Sequence, residues 1–176
     1  MNYQITYRSP IGNMMIVCDA DRKYITGVWI EGQKYFQSTL SERPVCGKGI
    51  PVLQKAKDWL DAYFAGKKPV PSVLPLKPAG SVFRQDIWKI LCEIPYGSVL
   101  TYGEIAKQMA LKMGREAMSA QAVGGAVAHN PISVIIPCHR IVGTNGSLTG
   151  YAGGIEKKIK LLEHEGVDTA VFSVPK

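Results

Sequence analysis

The chain has 176 residues, 46% of them apolar, which excludes a disordered protein and allows one large core or two small ones. Its 21 basic and 14 acidic side chains leave a formal charge of +7, which suits a polyanionic partner without identifying one. No apolar run is long enough to cross a bilayer, and the polar start at Asn2-Tyr3-Gln4 carries no export pattern, so a cytoplasmic protein is expected.

In chain order, residues 3–7, 13–18 and 24–30 read as strands, rich in Ile, Val, Tyr, Thr and Trp, with a turn at Asp19-Ala20-Asp21. Residues 33–50 show no clear period. Pro51 opens a helix whose apolar face is Val52, Leu53, Ala56, Trp59, Leu60, Tyr63 and Phe64, and Gly66 ends it. Four prolines between 69 and 78 exclude regular structure and place a boundary near residue 80. A helix near Ser81 follows, with Phe83, Ile87, Ile90 and Leu91 on one face. Thr101 and Glu104 form a capping box that starts a helix at Tyr102. Ser119 caps another, from Ala120 to about His129, and Asn130-Pro131 ends it. Two short helices so joined form a helix-turn-helix pattern. Ile132–Ile136 is short, apolar and β-branched and reads as a buried strand. After a glycine-rich stretch, the last helix carries Ile155, Ile159 and Leu162 and stops at Gly166. The expected fold is α/β (α+β), with an α/β domain over 1–80 and a mostly helical domain over 81–176. Residues 1–80 hold 11 basic and 6 acidic groups and residues 81–176 hold 10 and 8, so the charge excess lies mostly away from the helix-turn-helix.

Four cysteines are present, Cys18, Cys46, Cys92 and Cys138, with neither a C-x-x-C pair nor zinc-finger spacing, so no metal site is expected. In a cytoplasmic protein they are expected to be reduced thiols. Cys138 follows Pro137 at the end of the expected strand and has His139 beside it. It reads either as a nucleophile aimed into a cleft or as a core cysteine beside a surface histidine. His139 reads as a proton acceptor, direct or through a water, or as a structural histidine. Glu165 either orients His139 or is a solvated helix-end acid, the reading its position alone favours. The helix from Ala120 is nearly bare: Ala122, Gly124, Gly125, Ala126 and Ala128 project little, and each glycine costs about 1 kcal/mol relative to alanine. Its bareness fits close approach to an outside surface such as DNA, or tight packing on the protein's own core.

Ile136-Pro137-Cys138-His139-Arg140-Ile141-Val142 resembles the signature of the O6-alkylguanine-DNA alkyltransferases. Ala122-Val123-Gly124-Gly125-Ala126, Asn130-Pro131, Gly150-Tyr151-Ala152-Gly153-Gly154 and His164-Glu165-Gly166 fall at the family's spacing. Phe83–Trp88 and Ile94–Gly103 are also similar, so the likeness covers roughly residues 81–166. The resemblance implies a ribonuclease-H-like first domain and a winged helix-turn-helix second domain. It implies a monomer that binds double-stranded DNA through the minor groove, flips an O6-alkylguanine nucleotide into a pocket and needs no cofactor. Cys138 then corresponds to the acceptor thiolate, which reacts once, irreversibly, and also with O4-alkylthymine. His139 corresponds to the base acting through a water and Glu165 to the acid orienting it. Tyr102 corresponds to the residue that helps extrude the nucleotide and donates a proton, and Asn130 to the brace behind the pocket. Backbone groups near Ile141 and Ala152 would read the guanine edge and Tyr151 would line the pocket. Thr101, Ser119, Gln121, Ala122, Gly124 and Gly125 would face DNA.

Three departures stand out. Gln121 occupies the place of the family's arginine finger, and the loop before it, Lys107–Met118, looks longer than is usual in the family. Ala152 stands where some members have serine, which bears on how bulky an alkyl group fits. An alkyl group on buried Cys138 is expected to overpack the pocket and lower stability. Readings from other classes are a lesion binder or helix-turn-helix regulator, against which the presence of Cys138 argues, and a multiple-turnover cysteine hydrolase, for which no family pattern is present.

Overall fold

The structure, a computed structural model, describes residues 1–174. It forms two compact units, one of Met1–Ala79 with Pro131–Ile136 and one of Gly80–Asn130 with the chain from Pro137 onward.

The first unit is built on a mixed four-stranded sheet of order β3-β2-β1-β4. Strands β1 (Tyr3–Ser9), β2 (Gly12–Cys18) and β3 (Ile25–Ile30) form an antiparallel meander, and β4 (Val45–Cys46) pairs parallel with β1. The Asp19 carboxylate accepts from the amides of Lys23 (2.8 Å) and Tyr24 (3.1 Å), which sets the expected turn between β2 and β3. Helix α1 (Pro51–Phe64) covers the sheet with Val52, Leu53, Ala56, Trp59, Leu60 and Tyr63 buried, the stripe its periodicity demands. The outer edge of β3 would otherwise expose unpaired amides and carbonyls. Single parallel bridges at Ile25–Leu76 and Val28–Ile132 close it.

The apolar run at 132–136 is buried as expected but is not a strand. Only Ile132 bridges to β3. The chain then turns back, with Ile135 N donating to Ser133 O (2.8 Å) and Ile136 N to Ile132 O (3.0 Å). Val134 takes φ +69°, in the left-handed region that β-branched residues avoid at a cost of about 1–3 kcal/mol. Burial explains the apolar composition of this run, and a γ-turn satisfies it as well as a strand does.

The second unit contains α2 (Val82–Cys92), α3 (Tyr102–Lys112), α4 (Ala120–Ala128) and α5 (Ile155–His164). Ser81 caps α2, and the Trp88 indole N–H donates to Ala126 O (2.9 Å), tying α2 to α4. The Thr101/Glu104 capping box on α3 is complete, and Ser119 caps α4 through the Ala122 amide. Strands β5 (Leu100–Thr101) and β6 (Ile141–Val142) pair in parallel, which fixes the start of α3 beside the segment that follows Cys138. Among the described residues no helix is long and apolar enough to cross a membrane.

Candidate functional site

Cys138 opens a short 3₁₀ turn, Cys138–Arg140, rather than ending a strand. Pro137 (φ −82°, ψ 64°) reverses the chain, and Arg140 N closes the turn on Pro137 O (3.0 Å). The turn buries three consecutive functional side chains, Cys138, His139 and Arg140, which an extended chain would point to alternate sides.

One branch of the site is a buried ion network. Glu165, at the C-terminal cap of α5, accepts from His139 Nε2 (2.5 Å), Arg140 Nε (2.8 Å), the second Arg140 amino group (3.2 Å) and the Gly97 amide (3.0 Å). Arg140 also donates to Ile94 O (2.7 Å). Of the two readings of Glu165, the solvated one does not hold: its side chain is fully buried and contacts His139, as the orienting reading expects, with Arg140 as a second partner. Burial pushes the Glu165 carboxyl up, but the hydrogen bonds and charges of His139 and Arg140 outweigh it and hold it well below the usual carboxylate range. Burial lowers the His139 pKa against the opposing pull of Glu165. Burial therefore favours the neutral form of His139, whose Nε2 lies against the carboxylate.

The other branch surrounds the thiol. Burial raises the Cys138 pKa, while a hydrogen bond with the Asn130 side chain and the positive charge of Lys158 pull it down. Lys158 is a fully buried lysine on α5 that the sequence pattern does not reveal. Its ammonium donates to the carbonyls of Ile141 and Thr149, the latter at 2.9 Å. Burial lowers its pKa to about 8 against the pull of Cys138. The same Thr149 carbonyl accepts from Tyr102 Oη (3.2 Å), so one backbone oxygen links the tyrosine to the lysine. Burial, and secondarily the proximity of Cys138, raises the Tyr102 pKa to about 12 and keeps the phenol protonated. Gly150 (φ +82°) is required here, because a Cβ would lie 2.4 Å from Tyr102 Oη.

Tyr151 stands edge-on to His139, with ring centroids 6.5 Å apart. Its buried hydroxyl has no hydrogen-bond partner among the described residues. Ala152 lies half-buried in the turn closed by Gly154 N on Tyr151 O (3.0 Å). Ile141 is buried, and its carbonyl is engaged by Lys158.

The helix-turn-helix residues form a separate surface. Gln121, Ala122 and Gly125 are exposed and Gly124 half-buried, while Val123, Ala126 and Val127 turn inward. A Cβ on Gly125 would meet nothing within 4 Å, and one on Gly124 only Tyr102, at 3.9 Å. The glycines are therefore not there for close packing on the protein's own core. Thr101 and Ser119, expected to face DNA, use their hydroxyls as helix caps, accepting from Glu104 N and Ala122 N at 3.1 Å each.

The signal that could have revealed Lys158 is its place in the helical stripe of Ile155, Leu161 and Leu162. The run Lys157-Lys158-Ile159-Lys160 masks it, because a lysine cluster reads as a solvated face.

Residues 2–78 match the ribonuclease-like domain of 6-O-methylguanine DNA methyltransferase, and residues 82–167 match its DNA binding domain. The methylated-DNA–protein-cysteine methyltransferase of Haemophilus influenzae is 40% identical, over 94% of this chain and 87% of its own. The crystal structure of Mycobacterium tuberculosis O6-methylguanine methyltransferase is 40% identical and superposes with a TM-score of 0.75, covering 94% of this chain and 93% of that one. A Mycobacterium tuberculosis relative solved in complex with DNA is 38% identical with a TM-score of 0.79, covering 97% and 99%. On both its domains and nearly its whole length, this chain belongs to the 6-O-methylguanine DNA methyltransferase family.

Proposed function

We propose that the protein repairs DNA by transferring an alkyl group from O6 of guanine, and also from O4 of thymine, to Cys138 in a single irreversible step. The observation that carries this reading is the buried thiol of Cys138, flanked by Asn130 and Lys158 and adjoining a tyrosine held protonated. The nucleotide must leave the duplex to reach such a thiol.

In the proposed reaction the thiol proton passes through a water to neutral His139, whose imidazolium Glu165 stabilises. Asn130 and the Lys158 ammonium hold the thiolate. Its sulfur attacks the alkyl carbon in line, a C–S bond forms and the C–O6 bond breaks. The bonding pair goes to the purine, which takes a proton from Tyr102. Solvent then returns the His139 proton to the tyrosine. The product thioether has no hydrolysable bond, so the protein acts once; the step as written draws on groups of one chain and the DNA alone, consistent with a monomer that uses no cofactor. The buried Tyr151 hydroxyl, without a hydrogen-bond partner among the described residues, gives the incoming base a polar group to satisfy.

The bare outer face of α4 supports close approach to the minor groove, with Gln121 filling the gap left by the flipped base and hydrogen-bonding the orphaned partner. Gly125→Ala is expected to stabilise the fold by about 0.5–1 kcal/mol, since the methyl meets open space in a helix. The same substitution is expected to weaken duplex binding severalfold, and melting and binding measured on one preparation check both signs. Incubation with methyl-labelled duplex is expected to label the wild-type protein and leave Cys138→Ser unlabelled. A wild-type protein that binds the lesion without label would be a lesion binder.

A further inference from the structure

Helix α4 carries no charged side chain: its sequence is AQAVGGAVA. A helix that approaches DNA so closely still requires cations for the phosphates on either side, and here neighbouring elements must supply them. Beside α4 lies a groove of about 510 Å³ between α3 and the α3–α4 segment. Small and apolar side chains, among them Ala106, Ala110, Ala117 and Met118, line it. It ends at Gly103 and Ala120, the neighbours of Tyr102 and Gln121, and so continues the surface already assigned to DNA.

The start of the segment is tied back to α3. Arg115 N donates to Ala110 O (2.8 Å) and Gly114, at φ +66°, terminates α3. Two charges of α3 are already used: Lys112 pairs with Asp86 (3.0 Å), and Glu104 is the capping-box acid. Lys107 and Arg115 line the groove, are exposed and make no ion pair among the described residues. Glu116 lines it too, so the groove's net charge is a single positive one.

We infer that this groove is a second DNA-backbone site, in which deoxyribose lies on the apolar floor and Lys107 and Arg115 pair with phosphates flanking the lesion. The inference rests on the DNA-repair reading above. Lys107 on α3 and Arg115 in the α3–α4 segment then supply the cationic contacts that the neutral α4 lacks.

The test is equilibrium binding of the full chain to a short duplex containing O6-methylguanine across a salt series. Lys107→Ala/Arg115→Ala is expected to reduce the slope of log K against log salt by about 2, at roughly 0.9 per phosphate contact, and to weaken binding about tenfold near 0.1 M salt. Lys55→Ala, on α1 of the other unit, is expected to leave the slope unchanged. Ala117→Glu, at an exposed lining position, is expected to weaken binding without lowering the melting temperature. An unchanged slope in the folded double variant overturns the inference. So does a variant that loses only cooperativity with protein concentration, which would assign the groove to a second copy. Failure of the repair reading looks different, because the wild-type protein would then take no methyl group at any salt concentration.

Discussion

Glu165→Gln is expected to cost about 3–5 kcal/mol of stability and to abolish alkyl transfer within the measurable range. The carboxylate is the counter-charge of a buried guanidinium, bound through Arg140 Nε at 2.8 Å and a second amino group at 3.2 Å. Glutamine keeps the shape but leaves Arg140 as an uncompensated buried cation. It also removes the anion that would stabilise the imidazolium of His139. The pH dependence separates this account from simple loss of packing. The Glu165 carboxyl is held well below its unfolded value, so its contribution is fully present above about pH 4.3 and is lost as pH falls toward the folded value. Urea denaturation at pH 7, 4 and 3 is expected to show the wild-type advantage over Glu165→Gln shrinking as pH falls. A variant as stable as wild type at pH 7 would remove Glu165 from its anchoring position.

Lys158→Met is expected to slow single-turnover transfer about 100-fold at pH 7, equivalent to about 2.7 kcal/mol of transition-state stabilisation. The ammonium is the cation whose charge lowers the Cys138 pKa, and burial lowers its own pKa to about 8. Wild-type transfer is therefore expected to decline above about pH 8 as the lysine loses its proton, a limb the variant lacks. Stability moves differently. Between about pH 8 and 10.4 the unfolded chain binds this proton and the folded chain does not, so the lysine's contribution to stability rises with pH through that window. Below pH 8 the buried charge is a cost, which methionine removes while leaving the Ile141 and Thr149 carbonyls without a donor. The net loss is expected to stay below about 2 kcal/mol, well short of the Glu165→Gln effect. Quenched transfer assays from pH 6 to 10, paired with denaturation, read both quantities. An unaltered rate would exclude electrostatic support of the thiolate by Lys158.

Features governed by local rules were legible in the sequence. The Thr101/Glu104 capping box, the Ser119 cap, Pro51 at the first turn of α1 and the apolar stripe through Trp59 depend on residues a few positions apart, and the structure places each as expected. What escaped depends on partners distant in the chain. Glu165's position alone reads as a solvated acid, and only the family resemblance sets it behind His139, while Arg140 as its second partner escaped; Lys158 reads as surface charge until Ile141 and Thr149 bring carbonyls to it. Residues 132–136 show the third limit: burial sets their apolar character, but Val134 turns the chain where a short β-branched apolar run suggests a strand. The bare face of α4 was ambiguous because a glycine chosen for a close neighbour and one chosen for an approaching ligand look alike in sequence. The open space over Gly125 separates them.

Intact-protein mass after mixing with excess duplex containing O6-methylguanine, with Cys138→Ser in parallel, tests the central claim most directly. The account predicts that wild-type protein gains one methylene equivalent, about 14 Da by composition, that the gain survives reducing agent, and that a second addition of duplex adds nothing. The folded Cys138→Ser variant is predicted to gain nothing. A wild-type mass that stays unchanged while the duplex is bound, or a gain that persists in Cys138→Ser, would contradict it.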